Sequence, residues 1–223
     1  LKGELGIGEN SWYVCLHVRE SGFRKDKGRR EYRNHNVDNY IKAINYITSL
    51  GGYVVRLGDA SMKKLPPNPL LIDYPFTQYK SDLNDVLLIQ GCEFYIGCQS
   101  GIFGIAAMLG KKTLLINMFQ SYNGVPHREW DRGIMKHIYS IKLKRYLSVE
   151  EAFLGGEDKL NLDWILFGEN YKFIENSPEE ILDAVMEFIE IVNNPDKCAG
   201  SSLQLQAEKL RRLRGLEVVL SEK

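Results

Sequence analysis

Ser100 and Gly101 stand between an apolar run and a helical run, and residues so placed can hold an anion. A helix that begins here points its free N–H groups and the positive end of its dipole at the edge where parallel strands end. Open α/β folds bind ligands at that edge, so the turn that contains Gln99, Ser100 and Gly101 is predicted to hold a phosphate. The alternative is that Ser100 is only an N-cap and Gly101 only a turn residue, and this motif alone leaves both open.

His17 and Arg19 lie at the end of another apolar run and, being two residues apart, share one face of the strand end. The planar fork of an arginine can donate two hydrogen bonds to one phosphate. A histidine in an apolar strand is by itself more often a core residue. Because Arg19 and a glycine-containing loop follow it, we interpret His17 as a ligand-binding residue.

A third turn, after the next predicted strand, contains Gly58 and Asp59. Gly58 permits close approach of the backbone, and Asp59 could accept a hydrogen bond from a hydroxyl, although an ordinary aspartate turn is the favoured interpretation. Glu20 and Asp26 are candidates for a general base by position only.

These turns need strands and helices to position them, and the hydrophobic pattern alternates between the two. The pattern and its stop signals predict helices over Asp38–Leu50, Ser81–Gln90, Ile102–Leu109, Ser148–Phe153 and Pro178–Val192. Strands are predicted over Trp12–Val18, Tyr53–Leu57, Leu70–Ile72, Phe94–Ile96, Thr113–Ile116 and His137–Leu143, and Met118–Gly133 is predicted to be a long loop. Such alternation predicts an α/β fold, a Rossmann-like, mostly parallel sheet with helices on both faces.

Composition limits the classes of protein to which the chain can belong. With 223 residues, 44% of them hydrophobic, we expect a single domain over 1–223 with a helical extension over about 176–223. The 29 basic and 29 acidic residues balance, which argues against nucleic acid as a partner. The sequence contains no run of 18 apolar residues, so no transmembrane segment is predicted. Four cysteines without a CxxC pair favour a reducing compartment, so a cytoplasmic location is expected.

The spacing of these motifs resembles that of the fucosyltransferase group with a GT-B fold. The motifs are His17-x-Arg19, the Gly58-Asp59 turn, and Asp85 ahead of the strand that leads to Ser100. More closely, Cys15–Phe23, the stretch Asn34-x-Asn-x-Asp-Asn-Tyr-Ile, Gly52–Asp59 and Ser81-Asp82 are similar to a family of bacterial glycosyltransferases identified mostly from sequence. The similarity covers roughly residues 12–145 and implies the nucleotide-sugar-binding half of a GT-B enzyme.

By this resemblance Arg19 would hold the diphosphate, His17 the ribose or phosphate region, Asp85 the base, and Ser100 with Gly101 a phosphate oxygen. The partners implied are a nucleotide diphosphate sugar as donor and a glycan or other hydroxyl compound as acceptor. Glu20 stands where the fucosyltransferase group has a second arginine. This departure argues against GDP-fucose, while another GDP-linked sugar stays open. An N-terminal domain or a second subunit would complete the cleft.

We expect transfer without a metal or other cofactor, because the sequence contains no Asp-x-Asp motif. Asp82 and Asp85 lie three apart, but Asp82 suits the first turn of a helix without any metal. Two other functions stay open: a module that binds a nucleotide sugar without catalysis, and a GT-B-fold nucleotide-sugar epimerase.

Two charged segments have ordinary explanations. The basic run Arg24–Arg33 could meet phosphates, yet a solvated loop is the favoured interpretation. Leucines among charges over Leu203–Leu216 predict an amphipathic helix that packs on the domain.

Overall fold

The computed structural model describes residues 1–22, 31–119, 128, 130–148, 151 and 170–194. Its strands are β1 Tyr13–His17, β2 Tyr53–Arg56, β3 Leu71–Asp73, β4 Phe94–Gly97, β5 Lys112–Met118, β6 Arg132–Met135, β7 His137–Ser140, β8 Arg145–Tyr146 and β9 Tyr171–Ile174. Its α-helices are α1 Ile41–Ser49, α2 Asp82–Gly91, α3 Gly101–Met108 and α4 Pro178–Asn193.

The main sheet has six parallel strands in the order β3-β2-β1-β4-β5-β6. This order is that of a Rossmann-like fold, and it confirms the predicted fold class. The chain first builds outward from β1 to β3 and then crosses back to place β4 on the other side of β1. The carboxyl ends of β1 and β4 therefore flank the topological switch point, where open α/β sheets bind their ligands.

Helices cover both faces of this sheet, which explains why β1 and β4 are buried along their whole length. One core cluster includes Leu16 of β1, Ile44 of α1 and Phe188 of α4, and a second includes Cys15 of β1, Leu88 of α2 and Phe103 of α3. Successive residues of β1 thus face opposite layers. The thiols of Cys15, Cys92 and Cys98 are free and buried, as expected for small core residues.

Serine side chains cap the starts of two helices. The Ser81 hydroxyl accepts a hydrogen bond from the Asn84 N–H at 3.1 Å, and α2 begins there. At the start of α4, Ser177 and Glu180 form a reciprocal capping box ahead of the apolar face of the helix. In contrast, the predicted helix from Asp38 begins with a 3-10 turn over Val37–Tyr40 before α1.

Two predictions for the chain after β5 were wrong, while most of the predicted loop Met118–Gly133 lies outside the described residues. The predicted loop ends in a strand, because β6 pairs with β5. Asp131, the residue before β6, anchors this pairing: its carboxylate accepts hydrogen bonds from the backbone N–H and the hydroxyl of Thr113 in β5. The predicted strand from His137 stops at Ser140 and turns back, so β7 pairs antiparallel with β8 and β9 in a separate small sheet. The helix predicted over Leu203–Leu216 lies outside the described residues, as does most of the helix predicted from Ser148.

Two buried asparagines join β5 to the start of α4. The Asn176 side chain accepts from the Asn117 N–H at 3.1 Å, and the Asn117 side chain accepts from the Asn176 N–H at 2.6 Å. Asn117 has a φ of 56°, which asparagine tolerates better than most residues.

No described helix combines the length and the hydrophobicity that a membrane crossing requires.

A buried ion-pair network joins the carboxyl ends of β1, β2 and β3. The side chain of Arg56 is fully buried; its guanidinium donates to Asp73 at 2.9 Å and to Glu20 at 2.5 Å. The second oxygens of these carboxylates accept from the backbone N–H groups of Leu65 and Lys63. We call this set the Arg56 network. The network holds the carboxyl ends of the three strands together, and removal of one partner would leave a buried charge uncompensated.

We predict that Asp73→Asn lowers the free energy of unfolding by roughly 2 to 3 kcal/mol, because Arg56 then loses a carboxylate in a buried site. Urea denaturation followed by circular dichroism measures the change. The matched control is Asp38→Asn, which removes an exposed pair with Lys63 and should cost less than about 1 kcal/mol. Equal costs for the two variants would contradict this account of the network.

Candidate functional site

His17, the last residue of β1, lies directly beside β4 at the switch point. It pairs in register with Gly97, the last residue of β4. His17 follows Tyr13 and Cys15 on the strand face that α2 and α3 cover, so its ring is directed toward the start of α3. The register of two parallel strands therefore positions the imidazole at the ligand-binding edge.

Ser100 contacts His17 instead of capping α3. Its hydroxyl oxygen lies 3.2 Å from His17 Nδ1 and makes no capping hydrogen bond to the helix. The interpretation of Ser100 as only an N-cap thus does not describe its side chain. Among the described residues, the first-turn N–H groups of α3 stay available for an anion.

The surface in front of α3 is open at its first residue. Gly101 is exposed, its φ is not in the left-handed region, and a side chain there would meet no atom within 4 Å. Neither backbone conformation nor internal packing requires glycine at this position. A small residue nevertheless leaves the helix amides accessible to a ligand.

Burial keeps His17 neutral. The side chain is almost fully buried, and this burial, with the charges of Arg19 and Arg56, lowers its pKa to about 4. The Cys98 thiol lies 3.8 Å from the same ring nitrogen, and burial raises the pKa of this thiol. At pH 7 the strand ends therefore carry a neutral imidazole, a hydroxyl and a thiol, all of which can form hydrogen bonds without adding charge.

Arg19 is half-buried directly after β1 and is joined to the segment that precedes α1. Its Nε donates to the Asn34 side chain at 3.3 Å, and its carbonyl accepts from the His35 N–H at 2.9 Å. These contacts fix Arg19 near the switch point, where sequence reasoning expected it.

Arg33 lies at the same edge, and sequence reasoning did not select it. Its Nη2 donates to the Gln99 carbonyl at 3.1 Å, and its guanidinium lies 5.6 Å from the centre of the Phe119 ring. The sequence predicts the basic run that ends at Arg33 to be a solvated loop; residues 24–30 of that run lie outside the described residues. The one signal in the sequence was that Arg33 directly precedes the Asn34 stretch on which the resemblance depends.

Gln99 and Lys136 hold the surrounding segments. The Gln99 side chain is buried and accepts from the Phe119 N–H at 2.9 Å, which joins the ends of β4 and β5. The buried Lys136 ammonium donates to the carbonyls of Tyr32 and Asn34 at 2.9 and 3.0 Å. Both side chains position neighbouring residues, and sequence reasoning did not identify this role for either of them.

The other predicted site residues have structural contacts. The Glu20 carboxylate belongs to the Arg56 network, so a role as general base would require it to leave Arg56. Asp59 accepts from the Ser61 N–H at 2.8 Å in an ordinary aspartate turn. Gly58 has a φ of 145° and leaves no space for a side chain, because Met62 packs against it. Asp26 lies outside the described residues.

Asp85 lies in the first turn of α2 and pairs with Lys80 at 2.5 Å. Burial raises the pKa of this carboxyl, and the Lys80 hydrogen bond opposes the shift. One carboxylate oxygen is buried without a hydrogen-bond partner. Within the described part of the chain, no hydrogen bond or ion pair joins Asp85 to His17 or Ser100, and its role as a base-reading residue stays a prediction. The described residues also contain no group of three acidic, histidine or cysteine side chains arranged to bind a metal.

The pKa of His17 predicts a pH dependence of stability. The unfolded chain binds a proton at His17 near pH 6.5, whereas the folded protein binds it only near pH 4. The free energy of unfolding is therefore highest above pH 6.5 with respect to this group, and it falls as the pH drops from 6.5 toward 4. Between pH 7 and pH 4.5 we expect the free energy of unfolding to fall by about 2 kcal/mol less in His17→Gln than in the wild type. Urea denaturation at both pH values tests this, with the exposed His137 as control in His137→Gln. A loss as large in His17→Gln as in the wild type would contradict the assignment.

No protein-family model and no curated protein matches the chain. Among solved structures, it is similar to Thermosulfurimonas dismutans KpsC, a beta Kdo 2,4 transferase, with 12% identity and a TM-score of 0.39 over 81% of this chain and 53% of that chain. It is also similar to the glycosyltransferase SnogD from Streptomyces nogalater, with 11% identity and a TM-score of 0.37 over 95% of this chain and 45% of that chain. The chain thus spans about half the length of each of these two structures. Because both scores are low, we base the function on the site itself.

Proposed function

We propose that this chain is the donor-binding domain of a glycosyltransferase, one half of a GT-B fold, that uses a nucleotide diphosphate sugar. The observation that carries the proposal is the arrangement at the switch point. There the Ser100 hydroxyl lies against a neutral His17 and leaves the amides at the start of α3 available, and Arg19 is close enough for its charge to lower the pKa of His17. A helix start and an arginine at the carboxyl edge of a parallel sheet together form a site suited to phosphate.

The same groups suit transfer of a sugar. When the bond between the sugar and the diphosphate breaks, negative charge builds on the leaving diphosphate. A guanidinium and fixed amides in a partly dry cleft stabilise this charge more strongly in the transition state than in the ground state. His17 can donate a hydrogen bond to a phosphate or ribose oxygen while it stays neutral. We propose that these residues supply the electrostatic stabilisation without a metal.

The acceptor would be a glycan or another hydroxyl compound that a second domain or subunit presents across the cleft. Its general base is not among the residues assigned here, because Glu20 is held by Arg56. Asp26 stays a candidate by position only. Asp85 stays the proposed reader of the nucleotide base, since a buried carboxylate oxygen that lacks a partner can accept N–H groups of a ligand.

The decisive experiment is a screen of nucleoside diphosphates and their sugars by thermal shift, with GDP, UDP, CDP and ADP as the bases. A ligand present at 100 times its Kd should stabilise the protein by about 2.7 kcal/mol. Transfer is then tested with each ligand that binds and with acceptor extracts, on this chain and on any longer natural form. Binding without transfer in every form would favour the non-catalytic module, and no binding by any nucleotide would overturn the proposal.

We predict that Arg19→Ala raises the Kd of the nucleoside diphosphate found in the screen by about 10- to 100-fold, because a charge-assisted pair is lost. Isothermal titration calorimetry measures the change, and circular dichroism shows whether the variant is folded. The matched control is Arg145→Ala, which removes an exposed arginine of the small sheet and should leave the Kd unchanged. A folded Arg19→Ala variant with wild-type affinity would refute the role of Arg19.

A further inference from the structure

Arg33 is held rigidly at the switch point by three different parts of the chain. Its Nη2 donates to the Gln99 carbonyl in the turn after β4, and its guanidinium stacks on Phe119 after β5. Lys136 binds the carbonyls on either side of it, those of Tyr32 and Asn34. A long side chain loses much rotamer freedom when it is fixed in this way, so the arrangement needs a compensating gain.

A comparison with Arg56 indicates that a purely structural role does not explain the contacts of Arg33. Arg56 is fully buried, and two carboxylates compensate its charge. Arg33 is half-buried and has one carbonyl and one aromatic face as partners, with no carboxylate within ion-pair distance among the described residues. The Nε of both arginines lacks a hydrogen-bond partner, so the difference between them lies in the carboxylates. A cation that is fixed and left without a counter-charge is suited to bind an anionic ligand.

Arg19 and Arg33 face one turn from two sides. Arg19 donates to Asn34, the neighbour of Arg33, while Arg33 donates to Gln99, the neighbour of Ser100. The charges of both arginines also lower the pKa of Cys98, which lies in the same turn, against the raising effect of burial. Both arginines therefore lie close to the turn that joins β4 to the start of α3. One phosphate can be bound by a helix start and one arginine, so a second arginine indicates a second phosphoryl group.

We infer that Arg33 binds the second phosphoryl group of the donor nucleotide and makes the site select diphosphates over monophosphates. This inference rests on the proposed function, since it assigns a ligand group within the same site. Arg33 thereby supplies a second arginine from a distant part of the sequence, although Glu20 follows Arg19 directly.

The test compares the nucleoside diphosphate found in the screen with its own monophosphate, for example GDP with GMP, by calorimetry on the wild type and on Arg33→Gln. We expect Arg33→Gln to weaken diphosphate binding by about 10-fold or more and monophosphate binding by less than about 2-fold. Arg33→Lys keeps the charge without the planar fork, and its diphosphate affinity should be intermediate. Arg145→Gln is the control and should change neither affinity.

The outcomes show whether the role of Arg33 alone fails or the proposed function fails with it. A wild type that binds diphosphates, with Arg33→Gln unchanged or weakened equally for both ligands, would overturn the role of Arg33 and leave the proposed function intact. A wild type that binds no nucleotide would overturn both. If Arg33→Gln is unfolded by circular dichroism, the same comparison is made with Arg33→Lys, where a selective loss of diphosphate affinity supports the inference and an equal loss contradicts it.

Discussion

The Arg56 network is the interaction on which the candidate site depends. A guanidinium with no solvent exposure holds one carboxylate from the segment after β1 and one from the last residue of β3, and those carboxylates in turn bind the backbone of the segment after β2. Arg19 immediately precedes Glu20, so the position of the proposed phosphate-binding arginine is set by its neighbour. Such a buried network costs desolvation energy, and full satisfaction of both carboxylates offsets that cost. The first residues after β1, Arg19 and Glu20, are therefore held in place before any ligand arrives.

The candidate site contains buried titratable groups that lower the stability of the fold. His17, His35 and Lys136 are buried, and burial is the main cause that lowers the pKa of each. In water the Lys136 ammonium would be fully hydrated and the two imidazoles would be charged below about pH 6.5, so burial at this edge costs stability for Lys136 at neutral pH and for the histidines at acidic pH. In return, the hydroxyl, imidazole and amide groups need little rearrangement when charge develops on a bound phosphate.

The sequence predicted the parallel sheet well because its strands are apolar on both faces and its helices carry capping residues such as Ser81 and Ser177. It also brought His17 and Ser100 to one edge, since strand ends follow from topology. It did not predict Arg33, because the burial of one arginine in a basic run depends on contacts with Gln99 and Phe119, more than 60 residues away. Glu20 was selected by position, and only the fold shows that Arg56 binds it. β6 was missed for the same reason, since the Thr113–Asp131 contact that anchors it is tertiary.

The strand order has a consequence for how the chain folds during synthesis. β1, β2 and β3 can pair once Asp73 has left the ribosome, but the other edge of β1 stays unpaired until β4 is made. The open edge belongs to a strand whose residues are all buried in the folded protein, and such an edge can pair with another chain. Contacts across 83 residues, such as His17 with Ser100, also form slowly because their loop must close first. The nascent chain is thus most prone to aggregate in the interval before its ligand-binding edge is complete.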